Sequence, residues 1–68
     1  MLTIEEFAKL SFKTDIKEGR YDFDDPNKYK TFSFLPENLK NAYLSEAEYY
    51  VNKVNQEDWP EDILKEIK

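Results

Sequence analysis

The chain contains no Cys and no His, so a fold of 68 residues must form without disulfides or a Cys/His metal site. A chain of this length buries only about 60% of its unfolded surface, which leaves room for one core. Aromatic side chains bury roughly 150–250 Å² each, and the sequence has five Phe, five Tyr and one Trp. We therefore expect a single domain, residues 1–68, with a core of packed aromatic rings.

The first segment carries the signals of a helix at both of its ends. Thr3 and Glu6 have the spacing of a capping box, in which each side chain binds a free backbone N–H group. Gly19 stands where a left-handed residue would end the helix. The apolar positions recur at intervals of three and four residues: Ile4, Phe7, Ala8, Phe12 and Ile16. The pattern predicts a helix that begins at Ile4 and ends within residues 13–18.

The connection over residues 20–34 loses this period. Tyr21 and Phe23 alternate with charged residues, residues 25–28 have the composition of a turn, and Phe32 and Phe34 alternate again. A two-stranded hairpin is marginal in water, so these rings must pack on the helices if the segment is ordered. The sequence predicts either a short β-hairpin or an ordered loop.

The second helix has the strongest pattern. Pro36 and Glu37 fit a first helical turn, because Pro is tolerated there and an acidic side chain faces the positive end of the helix dipole. Polar residues Asn41, Ser45, Glu48 and Asn52 line one side. The other side is an apolar stripe formed by Leu39, Ala42, Tyr43, Ala47, Tyr50, Val51 and Val54. A helix of about five turns is predicted, ending near Asn55.

A short third helix is predicted after Asp58, which has the position of a capping residue before Pro60 and Glu61. Trp59 is expected to pack beneath this helix as its anchor. The apolar face consists of Ile63, Leu64 and Ile67. The predicted fold is therefore mainly α: a small three-helix domain in which a hairpin between helices 1 and 2 would give the order α-β-β-α-α.

The charge and the residue types limit the function. With 15 acidic and 10 basic residues the net charge is −5, which disfavours binding to nucleic acids and to anionic membranes. No stretch approaches the roughly 20 apolar residues of a membrane span, so we expect a soluble, cytoplasmic protein. Without an imidazole or a thiol the sequence offers no ordinary catalytic base, nucleophile or zinc site. We expect no enzyme activity, no cofactor and no metal.

The run of acidic residues that begins at Asp22 resembles the start of a calcium loop. An EF-hand starting there would require Asp or Asn at Pro26, Gly at Asn27 and Glu at Ser33. These mismatches favour acidic residues that solvate a turn.

Two surface features are candidates for binding a partner protein. Tyr49 lies beside the apolar stripe, and Tyr is a residue type that anchors interfaces. The acidic candidates are Asp22, Asp24 and Asp25 in the connection, and Glu57, Asp58, Glu61 and Asp62 around the start of helix 3. Solubility and the acidic preference of helix starts explain the same carboxylates. If the two groups shared one face, they would offer negative charge to a basic groove.

A basic ridge is predicted on helix 1, where Lys9, Lys13 and Lys17 are spaced by four and Arg20 extends the row. Like charges at this spacing repel slightly, which would suit an acidic partner or a phosphate. Glu5 precedes Lys9 by four residues, however, and lysines commonly fill solvated helix faces. The sequence therefore favours lysines on a solvated helix face, with binding of an acidic partner or a phosphate as the alternative.

Residues 4–10, the aromatic connection, and residues 35–47 together resemble small proteins encoded by bacteriophages and prophages. This resemblance implies a viral protein that binds a host factor, and it assigns a role to no residue. The leading hypothesis is an acidic protein-binding module, an inhibitor or modulator that docks on a host protein by steric blocking or charge mimicry. The alternative is a self-associating assembly protein whose long helix pairs with a copy of itself through Leu44, Tyr49 and Val51.

Overall fold

The structure is a computed structural model that describes residues 2–21, 23, 25 and 27–67. These residues form three α-helices joined by two short 3₁₀ turns, within dimensions of 33 × 21 × 16 Å. The helices are α1 (Ile4–Glu18), α2 (Glu37–Lys53) and α3 (Glu61–Glu66), and the turns are Phe32–Phe34 and Gln56–Asp58. The prediction of a mainly helical fold is confirmed.

Both predicted ends of α1 are present. The Thr3 hydroxyl accepts a hydrogen bond from the Glu6 N–H at 3.1 Å, and the Glu6 carboxylate accepts one from the Thr3 N–H at 2.8 Å. The second of these bonds is the main cause of a lowered Glu6 pKa. Gly19 ends the helix in the left-handed region, with φ of 74°. Because L side chains rarely adopt this conformation, glycine suits the position.

The predicted stripe of α2 is largely confirmed. Ala47 is fully buried against the core, and the predicted polar side is exposed. Ala42 is the exception, because it is exposed although it was assigned to the stripe. The helix ends at Lys53, close to the predicted end, and the Val54 N–H bonds to the Tyr50 carbonyl at 3.3 Å.

The predicted role of Asp58 at the start of α3 is wrong. Asp58 belongs to the 3₁₀ turn before the helix, and Pro60 occupies the capping position without a side-chain hydrogen bond. The backbone explains the difference, since the Ile63 and Leu64 N–H groups both bond to the Pro60 carbonyl at 3.1 Å. The helix therefore begins at Glu61.

The predicted β-hairpin is also wrong, because the described residues of the 20–34 connection contain no strand. A turn is present, with the Lys28 N–H bonded to the Asp25 carbonyl at 3.1 Å. The Phe34 N–H donates to the Thr31 carbonyl at 3.0 Å within a 3₁₀ turn. This N–H is therefore not available to pair with a neighbouring strand. The described residues of the connection form a loop that ends in helical geometry.

The aromatic rings of this loop pack on α1, as expected for an ordered segment. Phe23 and Phe32 each lie 6.4 Å from the Phe12 ring. Phe34 instead points outward and is 65% exposed. The alternation of aromatic residues therefore reflects contacts with α1 and with solvent rather than the two faces of a strand.

Phe7 lies at the centre of the core and is fully buried. Its ring stacks on Tyr50 at 5.2 Å and meets Trp59 edge-on at 5.0 Å. The Trp59 indole N–H donates to the carbonyls of Tyr50 and Val54, both at 3.1 Å. Trp59 thus anchors the segment before α3 to the end of α2, and the expected aromatic core is confirmed.

Candidate functional site

Three of the predicted acidic residues lie together around the start of α3. Glu57 and Asp58 occupy the 3₁₀ turn and Glu61 is the first residue of the helix; all three are exposed. None of them forms an ion pair with a Lys or Arg that the structure describes. Because carboxylates without a nearby cation keep their full field, this segment presents negative charge to solvent.

Tyr49, near the end of α2, is the other exposed candidate. It is 55% exposed, and its ring meets Tyr50 edge-on at 5.4 Å. The hydrogen bond from the Trp59 indole to the Tyr50 carbonyl holds the end of α2 against the segment that contains Asp58. We call Tyr49, Glu57, Asp58 and Glu61 together the acidic surface.

The other predicted acidic residues are not part of this surface. Asp62 is bound to the Arg20 guanidinium by a charged hydrogen bond, which is the main cause of its lowered pKa. Asp25 is exposed, and its side chain accepts the Asn27 N–H at 2.9 Å within the turn. Asp22 and Asp24 lie outside the described residues.

Arg20 connects all three helices through a polar network. Besides Asp62 of α3, it approaches the Asp15 carboxylate of α1 at 3.6 Å. Asp15 also accepts a hydrogen bond of 2.7 Å from the Tyr43 hydroxyl of α2. Burial, and secondarily the charge of Asp15, raises the pKa of Glu46 on the same side of α2. The arrangement is that of a cross-link between helices, and Arg20 does not extend the basic ridge.

Replacing Asp62 with Asn is expected to lower stability at pH 7 by up to about 1 kcal/mol, the range for exposed ion pairs. Because Arg20 holds the Asp62 pKa below its ordinary value of 3.8, the carboxylate stabilises the fold above about pH 4, and this contribution is lost as the pH falls through the folded-state pKa. Urea unfolding at pH 7 and at about pH 2 should show a deficit only at pH 7.

Glu46→Gln is the control, because its expected effect on stability at pH 7 has the opposite sign to that of Asp62→Asn. Its raised pKa means that the charged form opposes folding, so the variant should be more stable than wild type at pH 7 and lose this advantage in acid. A deficit of Asp62→Asn that persisted undiminished in acid would contradict the role assigned to its charge.

The predicted basic ridge carries carboxylate partners. Lys9 lies 3.2 Å from Glu5, while Lys13 and Lys17 lie 4.0 and 3.5 Å from Glu66 of α3. The partner from α3 was not foreseeable from the local sequence, because it depends on how the helices pack.

Next to the ridge, α1 and the loop after the turn enclose a groove of about 540 Å³. We call it the lysine groove. No carboxylate lines it among the described residues, and its side chains include Lys9, Phe12, Lys13, Tyr29, Lys30 and Phe32. The sequence indicated the two lysines of α1, but nothing in the pattern brought Lys30 to them.

Two further kinds of site were sought in the described part of the chain, a metal site and a membrane-spanning helix. No cluster of three acidic residues there could hold a metal ion. None of the helices in that part is long and apolar enough to cross a membrane. The acidic surface and the lysine groove are two candidate sites of opposite charge among the described residues.

Comparison with known proteins adds no assignment to either surface. The chain matches no protein-family model, no curated protein and no solved structure.

Proposed function

We propose that this chain is a small acidic protein-binding module that docks its acidic surface on a basic patch of a partner protein. The observation that carries the proposal is the exposure of three carboxylates around the start of α3, none of them ion-paired with a Lys or Arg that the structure describes, together with the exposed ring of Tyr49. Docking of this kind blocks the partner sterically or mimics a negatively charged ligand, and it requires no chemistry.

Charge and aromatic area have separate roles in such docking. Exposed carboxylates accelerate encounter with a basic patch and select against acidic partners. Tyr residues are enriched among the side chains that contribute most to interface affinity. Glu57 and Asp58 would provide the charge, and Tyr49 the buried contact.

The resemblance of the two helical segments to small phage proteins supports a host protein as the partner and the host cytoplasm as the location. A host-factor inhibitor or modulator fits a module whose exposed carboxylates are available for docking. Direct binding of nucleic acid is not part of the proposal, since the net charge of −5 opposes it.

If the acidic surface docks on the partner, neutralising its carboxylates should strongly weaken partner capture. The test variant is Glu57→Gln/Asp58→Asn/Glu61→Gln. The matched control, Glu18→Gln/Glu37→Gln/Glu48→Gln, changes the net charge equally at exposed positions outside the surface. Each tagged protein is used as bait in lysates of the source organism and of its host, at low and high salt, with mass spectrometry as the readout.

We expect wild type and the control to retain one protein at low salt and to release it at high salt, because screening weakens exposed charge pairs. The test variant should retain about tenfold less of it. Equal retention by the two variants would show that the partner does not bind at the acidic surface. Capture of no specific protein at either salt concentration would refute the proposal.

Self-association through α2 remains the alternative proposal. The exposed part of the predicted contact face is smaller than the sequence indicated. Leu44 and Val51 are partly buried and packed against the core, so Tyr49 is the member of that face that remains exposed. Sedimentation velocity at increasing concentration separates the two proposals. A monomer throughout would count against self-association.

A further inference from the structure

The lysine groove is a second binding feature, which docking through the acidic surface does not use. One wall comes from α1, where Lys9, Phe12, Lys13 and Ile16 follow one another at intervals of one helical turn or less. The other wall is the loop over residues 29–33. The groove therefore depends on the way the loop packs against α1.

Aromatic contacts hold both the base and the outer wall of the groove. Phe12 and Phe32 are nearly buried and meet at a ring-centre distance of 6.4 Å. Tyr29 packs edge-on against Phe23 at 5.2 Å, and the Lys28 ammonium lies 5.6 Å from the centre of the Tyr29 ring. The apolar base is thus formed before any ligand arrives, which reduces the ordering cost of binding.

The charges of the groove favour an anion. Lys9 and Lys13 each have a carboxylate partner, Glu5 and Glu66, the second at the long distance of 4.0 Å. Lys30 is exposed and forms no ion pair with a carboxylate that the structure describes. Lys13 shares Glu66 with Lys17, which lies closer to it at 3.5 Å, so the groove is locally positive in a chain whose net charge is −5.

We propose that the lysine groove binds a small organic acid, with one carboxylate on an apolar body of about eight to ten carbon atoms. The carboxylate lies between Lys30 and Lys13, and the apolar body covers Phe12 and Phe32. The groove volume of about 540 Å³ falls within the roughly 300–1,000 Å³ of small-molecule sites. Such sites are mostly apolar with a few polar groups, as this one is.

The test is titration of the protein with octanoate, octan-1-ol and inorganic phosphate at low ionic strength, followed by NMR. Octanoate is expected to bind saturably, to shift the Tyr29 and Phe32 ring signals, and to bind several-fold more tightly than octan-1-ol. Phosphate, which lacks the apolar body, should not saturate the site. Equal affinity for octanoate and octan-1-ol, or phosphate binding as tight as that of octanoate, would overturn the proposal.

Substitutions in the lysine groove test whether octanoate binds there. Lys30→Gln should weaken octanoate binding about two- to fivefold, the effect of losing an exposed charge pair, whereas Lys53→Gln on α2 should leave it unchanged. Ser33→Phe places a ring in the groove and should abolish binding, with the helical circular dichroism spectrum retained. Equal affinities of the Lys30→Gln and Lys53→Gln variants would refute the assignment, as would undiminished binding by Ser33→Phe. These outcomes are independent of partner capture by the acidic surface.

Discussion

Replacing Phe7 with Ala is expected to lower the free energy of unfolding by about 3–5 kcal/mol, the usual range for a fully buried Phe. The ring is fully buried between Tyr50 and Trp59, so its removal leaves a cavity bounded by two rigid aromatic groups. A domain of this length has a total stability of only about 3–10 kcal/mol. The variant should therefore lose at least about a third of its stability, and it should be largely unfolded at 25 °C if wild type lies at the lower end of this range.

Urea denaturation followed by the fluorescence of Trp59, the single Trp of the chain, measures this effect. Phe34→Ala is the matched control, because it makes the same chemical change at a ring that is 65% exposed. The control should change stability by no more than about 0.5 kcal/mol. Similar losses in the two variants would show that Phe7 is not the centre of the core.

Replacing Trp59 with Phe is expected to cost about 1–3 kcal/mol, although a large ring remains. The indole N–H donates to the Tyr50 and Val54 carbonyls, both at 3.1 Å, and Phe has no donor to replace it. The Val54 carbonyl then loses this donor in a partly buried place, which costs about this much, whereas the Tyr50 carbonyl keeps its bond from the Val54 N–H at 3.3 Å. Since this contact also positions Asp58, the variant should weaken partner capture by the acidic surface.

Circular dichroism during urea unfolding is the suitable measurement, because the fluorophore itself is removed. Tyr49→Phe, a change of one polar group on an exposed ring, should leave stability within about 0.5 kcal/mol of wild type. A cost below about 0.5 kcal/mol for Trp59→Phe would mean that the two hydrogen bonds do not hold the end of α2.

The helices were predictable because their signals are local. Thr3 and Glu6 are three residues apart, and Gly19 is a residue type suited to the left-handed conformation that it adopts. The start of α3 was misplaced by this same logic, since Asp58 before a proline has the appearance of a cap. Asp58 instead ends a 3₁₀ turn, and the indole of the next residue, Trp59, is bonded to the end of α2, a tertiary contact that the local sequence does not contain.

The connection shows the limit of periodicity. Alternating rings at Tyr21, Phe23, Phe32 and Phe34 fit a strand pattern, but alternation does not say what the rings contact. Here Phe23 and Phe32 meet Phe12 of α1, and the local 3₁₀ bonds occupy the backbone groups that a partner strand would need. Tertiary packing therefore determines the conformation.

The candidate sites were predictable to different degrees. The exposure of Tyr49 followed from its position at the edge of the apolar stripe, and it is confirmed. The pairing of Arg20 with Asp62 joins residues far apart in sequence, so no local pattern contains it. The same is true of Lys30, whose approach to the lysines of α1 depends on the loop.

The partners of Phe7 come from the far part of the chain, and this has a consequence for biosynthesis. About fifty residues separate Phe7 from Trp59, and at typical translation speeds of roughly 5–20 residues per second they take about 3–10 s to add. An isolated helix the length of α1, 15 residues, is only marginally stable. During that interval the nascent chain exposes an apolar helix face that chaperones can bind, and the domain completes its core only after Trp59 has left the ribosome.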